Sequence, residues 1–322
     1  MFEADMMAAL RRLKRKLTLW RVIAVAAIVA ALAGIFWQKT GAGFSDHIAR
    51  VRIEGLITGR QRMLDLLDRL AKSERVKAVI LRIDSPGGTT VGSEALHDAI
   101  RRIAEKKPVV AVLDSIAASG GYIAALGADR IIARGNTITG SIGVIFQWTE
   151  LAELMDKIGV KMRTVKSGPL KAEPNPFEPL KPEVRKVTEE LVRDSFDWFV
   201  DLVAKRRGME RSRALELADG RVYTGRQAVK AGIVDALGDE RTAKRWLEEK
   251  RGVPAGLKIV ERKPKSLTED LGLEFSLARA AMRLFGLEGV LEPVRDGMAR
   301  GVALDGLVAI WHPERQLPGG RK

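Results

Sequence analysis

The chain has 322 residues, no cysteine, three histidines and a formal net charge of +14. Hydrophobic residues (46%) and charged residues (30%) stand in globular proportions, which excludes a disordered chain. Without cysteine there is no disulfide, thiol nucleophile, thiolate zinc site or Cys-ligated iron–sulfur cluster, and with only His47, His97 and His312 imidazole bases are scarce.

The first 40 residues carry seven Lys/Arg against Glu3 and Asp5, a local charge of +5. Within them, sixteen uncharged residues, Val22 to Trp37, follow the basic run; extended back to Leu17 the stretch is 21 long, broken only by Arg21. A membrane span needs about 20 residues. Arg21 can snorkel to the headgroups, and Trp20 and Trp37 flank the run as interfacial aromatics do. A membrane anchor is predicted, with the basic side cytoplasmic and everything after Lys39 on the outer, periplasmic or extracytoplasmic, side. Ala31-Leu32-Ala33 is also an A-x-A cleavage pattern. Ile35-Phe36-Trp37 carries the apolar run beyond it.

His47–Glu54 alternates as a strand does. Lys77–Ile83 is a buried β-branched run ending in Asp84-Ser85-Pro86-Gly87-Gly88. Ser93–Lys106 has helical spacing, which places His97 at a surface or boundary position. Pro108–Leu113 is a buried strand, and Ser119–Ala128 a small-residue helix opening at a glycine pair. Arg130–Ala133, Ile142–Phe146 and Val160–Val165 read as strands. A Pro/Gly-rich loop covers 167–182, and an amphipathic helix spans about Pro182–Arg207. Repeated strand–turn–helix units predict an α/β fold. After about Lys250 the texture changes: Ala255–Lys265 holds a short strand-like piece, Leu271–Leu287 an amphipathic helical pattern, and the tail to Lys322 no motif. The chain divides into 1–40 (leader and anchor), 41–250 (catalytic domain) and 251–322 (C-terminal tail).

Two glycine turns carry the chemistry. Asp84–Gly88 ends a buried strand, and glycine there lets backbone N–H groups approach a ligand closely. That suits an oxyanion site; it equally suits an ordinary strand-ending turn. Ala117-Ala118-Ser119-Gly120-Gly121 approximates the small-x-Ser-x-Gly nucleophile elbow, with Ala in place of the first Gly. The same serine is also a natural helix N-cap. A serine nucleophile needs a base. No histidine is placed for a Ser-His-Asp triad, so lysine is the alternative, provided it is held neutral. Lys171, in Ser167-Gly168-Pro169-Leu170-Lys171, sits in an unusual loop, although most lysines are simply solvated.

Five segments resemble the signal peptide peptidase A family of membrane-bound serine proteases, in that family's order and spacing: Ile83–Gly88, Ala117–Tyr122, Thr139–Ile145, Lys166–Lys171 and Tyr223–Asp235. The resemblance covers Ile83 to Asp235 clearly and most of 48–250 loosely. It implies a Clp protease/crotonase-like superhelix of ββα units. It implies Ser119 as nucleophile, Lys171 as general base and Ser141 as the serine that orients the lysine. The backbone amides of Gly87, Gly88 and Gly120 match the family's oxyanion hole. It further implies peptide substrates such as signal-peptide remnants, no cofactor or metal, and a homo-oligomeric ring in which serine and lysine meet across subunits. The chain departs from the family pattern just after the lysine, where Ala172, Glu173 and Pro174 stand. Two other readings are a crotonase-type acyl-CoA enzyme and a membrane-tethered peptide-binding scaffold. Nucleic acid is not expected as a partner, because the net charge comes with no basic stripe interleaved with aromatics.

Overall fold

Alternation along the central strands decides the layering. In β2 (Val76–Thr89), Val79, Leu81 and Ile83 belong to one buried cluster, while Ala78 and Ile80 belong to a second. In β3 (Val109–Ala118), Val109, Ala111 and Leu113 join the first, and Val110 and Val112 the second. Successive side chains of a strand point to opposite faces, so a sheet covered on both sides needs continuous apolar runs. Burying each Leu or Ile contributes about 1.5–3 kcal/mol.

A computed structural model describes residues 45–264 and 308–310, with isolated positions between 16 and 23. The predicted anchor and the helix at 271–287 therefore lie mostly or wholly outside the described residues. Among the described residues no helix is long and apolar enough to cross a membrane. Two compact units, Met1–His47 and Ile48–Lys322, divide the chain.

β1 is His47–Ile57. The strand path is β6–β5–β3–β2–β1–β8, with β5 at Ile138–Gly140, β6 at Val222–Thr224 and β8 at Lys258–Arg262. β4 (Arg130–Ala133) pairs the first half of β3, and β5 pairs its end; both pairings are parallel. β7 (Ala236–Leu237) extends beyond β4. Helices α1 (Gln61–Lys72), α2 (Thr90–Ala104), α3 (Gly120–Leu126) and α5 (Pro182–Arg207) supply residues to the first cluster. α8 (Glu240–Arg251) covers the other face with Ala243 and Leu247. The short helices α4 (Ala152–Lys157), α6 (Arg211–Glu216) and α7 (Gly225–Ala231) complete the set. A mixed α/β fold is therefore present, as the sequence predicts.

The β2–β3 register slips between Ile83 and Ser85: Ile83 pairs with Leu113, but Ser85 with Ala117. Asp84 spans the slip by accepting the Ile116 N–H at 3.1 Å. Such a bulge bends a strand pair and re-aims the residues beyond it. Both glycine turns come after this slip.

Three expectations need correction. Val160–Val165 is not a strand; it runs irregular and exposed, with no described neighbour to complete its ladder. Ile142–Phe146 buries Ile142 and Val144 yet forms only an isolated bridge at Ile145. His97 is buried at 7% exposure, because its face of α2 packs inward.

Candidate active site

Ser119 stands where β3 becomes α3. Its backbone has φ 53° and ψ −115°, outside the left-handed helical well. A non-glycine residue held there stores about 1–3 kcal/mol of strain. Ser119 occupies the N-cap position of α3, but its side chain makes no capping hydrogen bond. The capping role that the sequence also allowed is thus not filled. The residue is 1% exposed. Its N–H donates to the Gly140 carbonyl at 2.8 Å, and its own carbonyl accepts from Ile123 N–H at 2.9 Å. These bonds fix the elbow's backbone, and among the described residues no hydrogen bond engages the hydroxyl.

Ser141 lies beside this elbow through strand register. Ala118 pairs with Gly140, so the two serines are the next residues on neighbouring strands. Ser141 also has a positive φ, 49°, and its N–H donates to the Arg221 carbonyl at 2.8 Å. Thr139 Oγ1 pins the same strand pair by donating to the Ala117 carbonyl at 2.7 Å.

The first glycine turn packs against the second. A Cβ on Gly121 would sit 2.6 Å from the Ser85 carbonyl oxygen, and one on Gly88 would sit 1.8 Å from the Ile57 carbonyl oxygen. Only glycine permits these approaches. Ser85, to which no sequence motif assigns a role, organises the turn. Its hydroxyl donates to the Gly55 carbonyl at 2.6 Å and accepts the Gly87 N–H at 3.1 Å. The Gly87 amide is therefore occupied within the turn. A serine two residues before a glycine is the local signal that could have revealed this.

Tyr122 anchors α3 from below. Its hydroxyl donates to the Ile233 carbonyl at 2.8 Å, and burial pushes the phenol above its ordinary range. Asp235, two residues on, takes a bidentate pair from Arg207 and accepts the Ile131 N–H at 2.7 Å.

Lys171 is exposed in the irregular segment between α4 and α5, and among the described residues no hydrogen bond joins it to Ser119 or Ser141. Its N–H donates to the Gly168 carbonyl at 3.2 Å. The loop has its own anchor: Lys166 Nζ donates to Glu173 Oε1 at 2.5 Å, and Asn175 Nδ2 to Glu173 Oε2 at 3.0 Å. The hydrogen bond from Lys166 holds the Glu173 carboxyl below its usual range. Glu173 thus shapes the loop that carries Lys171.

Two clefts flank these elements. One, of 990 Å³, is lined by Ser141, Val144, Phe146, Trp148, Arg193 and Phe196. The other, of 520 Å³, is lined by Ile53, Leu56, Ile57, Met63 and Leu96. It adjoins the glycine turn through Ile57, whose carbonyl abuts Gly88. Among the described residues no three of His, Asp and Glu converge to hold a metal ion.

The model of peptidase family S49 matches residues 101–254, a span that includes Ser119, Ser141 and Lys171. A Synechocystis sp. protein provisionally named a protease is 40% identical over 201 residues, 62% of this chain and 72% of that protein.

The chain belongs to peptidase family S49. The chloroplastic serine protease SPPA of Arabidopsis thaliana is 34% identical to this S49 chain over 240 residues, 69% of the chain but 35% of that protein. A solved variant of the membrane-bound stomatin-specific protease 1510-N aligns with a TM-score of 0.45 at 18% identity, over 69% of this chain and 99% of its own.

Proposed function

We propose that this S49 chain is a membrane-anchored serine endopeptidase with a Ser–Lys dyad, acting on cleaved signal peptides or other membrane-proximal apolar peptides. The observation that carries the reading is the Ser119 elbow: a strained, uncapped serine at a strand-to-helix turn, packed against a glycine turn. That arrangement suits acyl transfer and has no use in a simple helix cap.

In the proposed reaction neutral Lys171 Nζ takes the proton from Ser119 Oγ as the oxygen attacks the peptide carbonyl. The tetrahedral oxyanion rests on the amides of Gly88 and Gly120, because Ser85 already holds that of Gly87. The lysine returns its proton to the leaving amine, and water, activated in the same way, hydrolyses the acyl-enzyme. Ser141 would position Lys171 through its hydroxyl. Since Lys171 is exposed within its own chain, the base for each Ser119 is taken to come from a neighbouring copy in a homo-oligomeric ring. The apolar cleft beside Gly88 supports a preference for apolar side chains. The basic leader and apolar run at 1–40 support anchoring with the catalytic domain on the outer side.

The test is hydrolysis of an apolar fluorogenic peptide by wild type, Ser119→Ala and Lys171→Ala. Both variants should lose at least about 10³-fold in kcat/KM, since a nucleophile and its base act as one unit. Mixing the two variants should restore part of the activity. Activity that survives either substitution overturns the dyad.

A further inference from the structure

Ser85 is fully buried at the seam between the two glycine turns. It is the first paired residue of β2 beyond the register slip, opposite Ala117, which stands two residues before Ser119. Its hydroxyl reaches three main-chain groups. It donates to the Gly55 carbonyl of β1 at 2.6 Å, accepts the Gly87 N–H at 3.1 Å and lies 3.4 Å from the Gly87 carbonyl oxygen. Its own carbonyl oxygen faces Gly121, where a Cβ would come within 2.6 Å. One residue thereby touches β1, the first glycine turn and the helix that follows Ser119.

We propose that Ser85 is a positioning residue for the oxyanion site, acting through the peptide unit between Gly87 and Gly88. The role rests on the protease reading, while the contacts stand without it. That unit carries the Gly88 N–H on one side and the Gly87 carbonyl on the other. Two glycines in succession offer little steric resistance to turning such a unit over. Gly87 has φ 113°, a conformation that residues with a side chain rarely adopt. Left without a hold, the Gly88 N–H would sample directions away from the developing charge. The Ser85 hydroxyl holds the unit from its Gly87 end and roots it in β1 through Gly55. The Ser85 carbonyl, set against Gly121, fixes how the first turn stands relative to Gly120, the second donor. Donors aimed in advance need no reorganisation as the charge develops. Ser85 therefore acts on the transition state and leaves ground-state binding of peptide alone.

The test compares Ser85→Ala and Ser85→Cys with wild type, each as the full chain. A thiol fills the space of the hydroxyl but forms only weak hydrogen bonds, so Ser85→Cys separates bonding from packing. On the apolar fluorogenic peptide both variants should lose about 10- to 100-fold in kcat, with KM within about twofold of wild type. Outright removal of an oxyanion donor costs more, about 10²–10³-fold. A peptide aldehyde and the matching peptide alcohol, used as inhibitors, give a second reading. The Ser119 hydroxyl adds across the aldehyde C=O: the Oγ–C bond forms, the C=O π bond breaks, and the serine proton passes to Lys171 or to the former carbonyl oxygen, which then sits at the oxyanion site. The alcohol has no carbonyl to add to. Inhibition by the aldehyde should weaken in proportion to kcat/KM, and inhibition by the alcohol should not change. A merely loosened fold would weaken both inhibitors together. If Ser85→Ala folds poorly by thermal unfolding, Ser85→Cys supplies the comparison. Unchanged kcat in the folded variants, or equal weakening of aldehyde and alcohol, overturns the positioning role and leaves the protease standing. No hydrolysis and no aldehyde inhibition in wild type removes the protease reading, and the role of Ser85 in catalysis with it.

Discussion

Ser119 and Ser141 come directly after register-paired residues on adjacent parallel strands, and both carry a positive φ, 53° and 49°. The Ser119 N–H is bonded to the carbonyl of the residue just before Ser141. Two hydroxyls 22 positions apart in sequence are thereby set at one end of the sheet. The roles proposed for them, nucleophile and orienter of its base, need this kind of fixed relation, because misplacement by about 1 Å can cost 10²-fold in rate.

Gly88→Ala should be among the most damaging single substitutions in the chain. The added carbon would meet the Ile57 carbonyl oxygen at 1.8 Å, a backbone atom that cannot step aside alone. Overpacking of this kind costs about 1–3 kcal/mol or more. Urea denaturation should show the lowered midpoint, and the folded fraction should lose peptidase activity as well. Gly168→Ala, where a Cβ meets nothing within 4 Å, is the matched control and should leave stability unchanged.

Tyr122→Phe should lower stability by about 1–3 kcal/mol, the cost of leaving a buried carbonyl without its donor. The hydroxyl that bonds the Ile233 carbonyl is fully buried, so water cannot replace it. Thermal unfolding of the pair reads the difference directly. An unchanged Tm would show that this bond does not tie α3 to the segment before β7.

Acid should destabilise the fold through His97. Burial lowers the pKa of this imidazole despite the opposing pull of Asp98, and Arg206 and Arg101 push the same way as burial. Its Nε2 is buried with no hydrogen-bond partner among the described residues. The unfolded chain takes up a proton near the ordinary value of about 6.5, while the folded chain resists until lower pH. Stability is therefore full above about pH 6.5 and falls as pH drops through that value toward the folded pKa. His97→Met should flatten the dependence of the urea midpoint between about pH 7.5 and 5. A slope equal to wild type would assign the acid sensitivity to other groups.

Lys166→Ala tests the loop that carries Lys171. It removes the cation that Glu173 holds, so it should raise KM and reduce kcat by loosening the Lys171 segment while sparing overall stability. Glu173→Gln keeps a hydrogen-bond acceptor for Lys166 and should fall between Lys166→Ala and wild type.

Local patterns were enough for the central strands and the long helix. Ala78–Leu81 and Val109–Leu113 are continuous apolar runs, and α5 begins at the Pro182 where a helix start is predicted. They were not enough for 142–146 and 160–165, whose β-branched residues look like strands. A strand needs a partner, and pairing is a property of the whole sheet. His97 was misplaced for a related reason: helical spacing marks one inward stripe, but α2 is covered more broadly than that stripe.

By itself the sequence determined the chemical inventory. It excluded thiols, made imidazole scarce, marked two glycine turns and a serine elbow, and carried the ordered motifs of an S49 peptidase. Each of these is a short-range property, set by residue type and neighbours. The tertiary structure alone decided that Ser85 takes the Gly87 amide, that Ser119 is uncapped, that Ser141 stands beside it, and that Val308–Ile310 reaches the glycine strand. Those relations depend on sheet order and register across tens to hundreds of residues. Loop closure over such separations costs entropy that only the assembled core offsets, so no local pattern records the outcome.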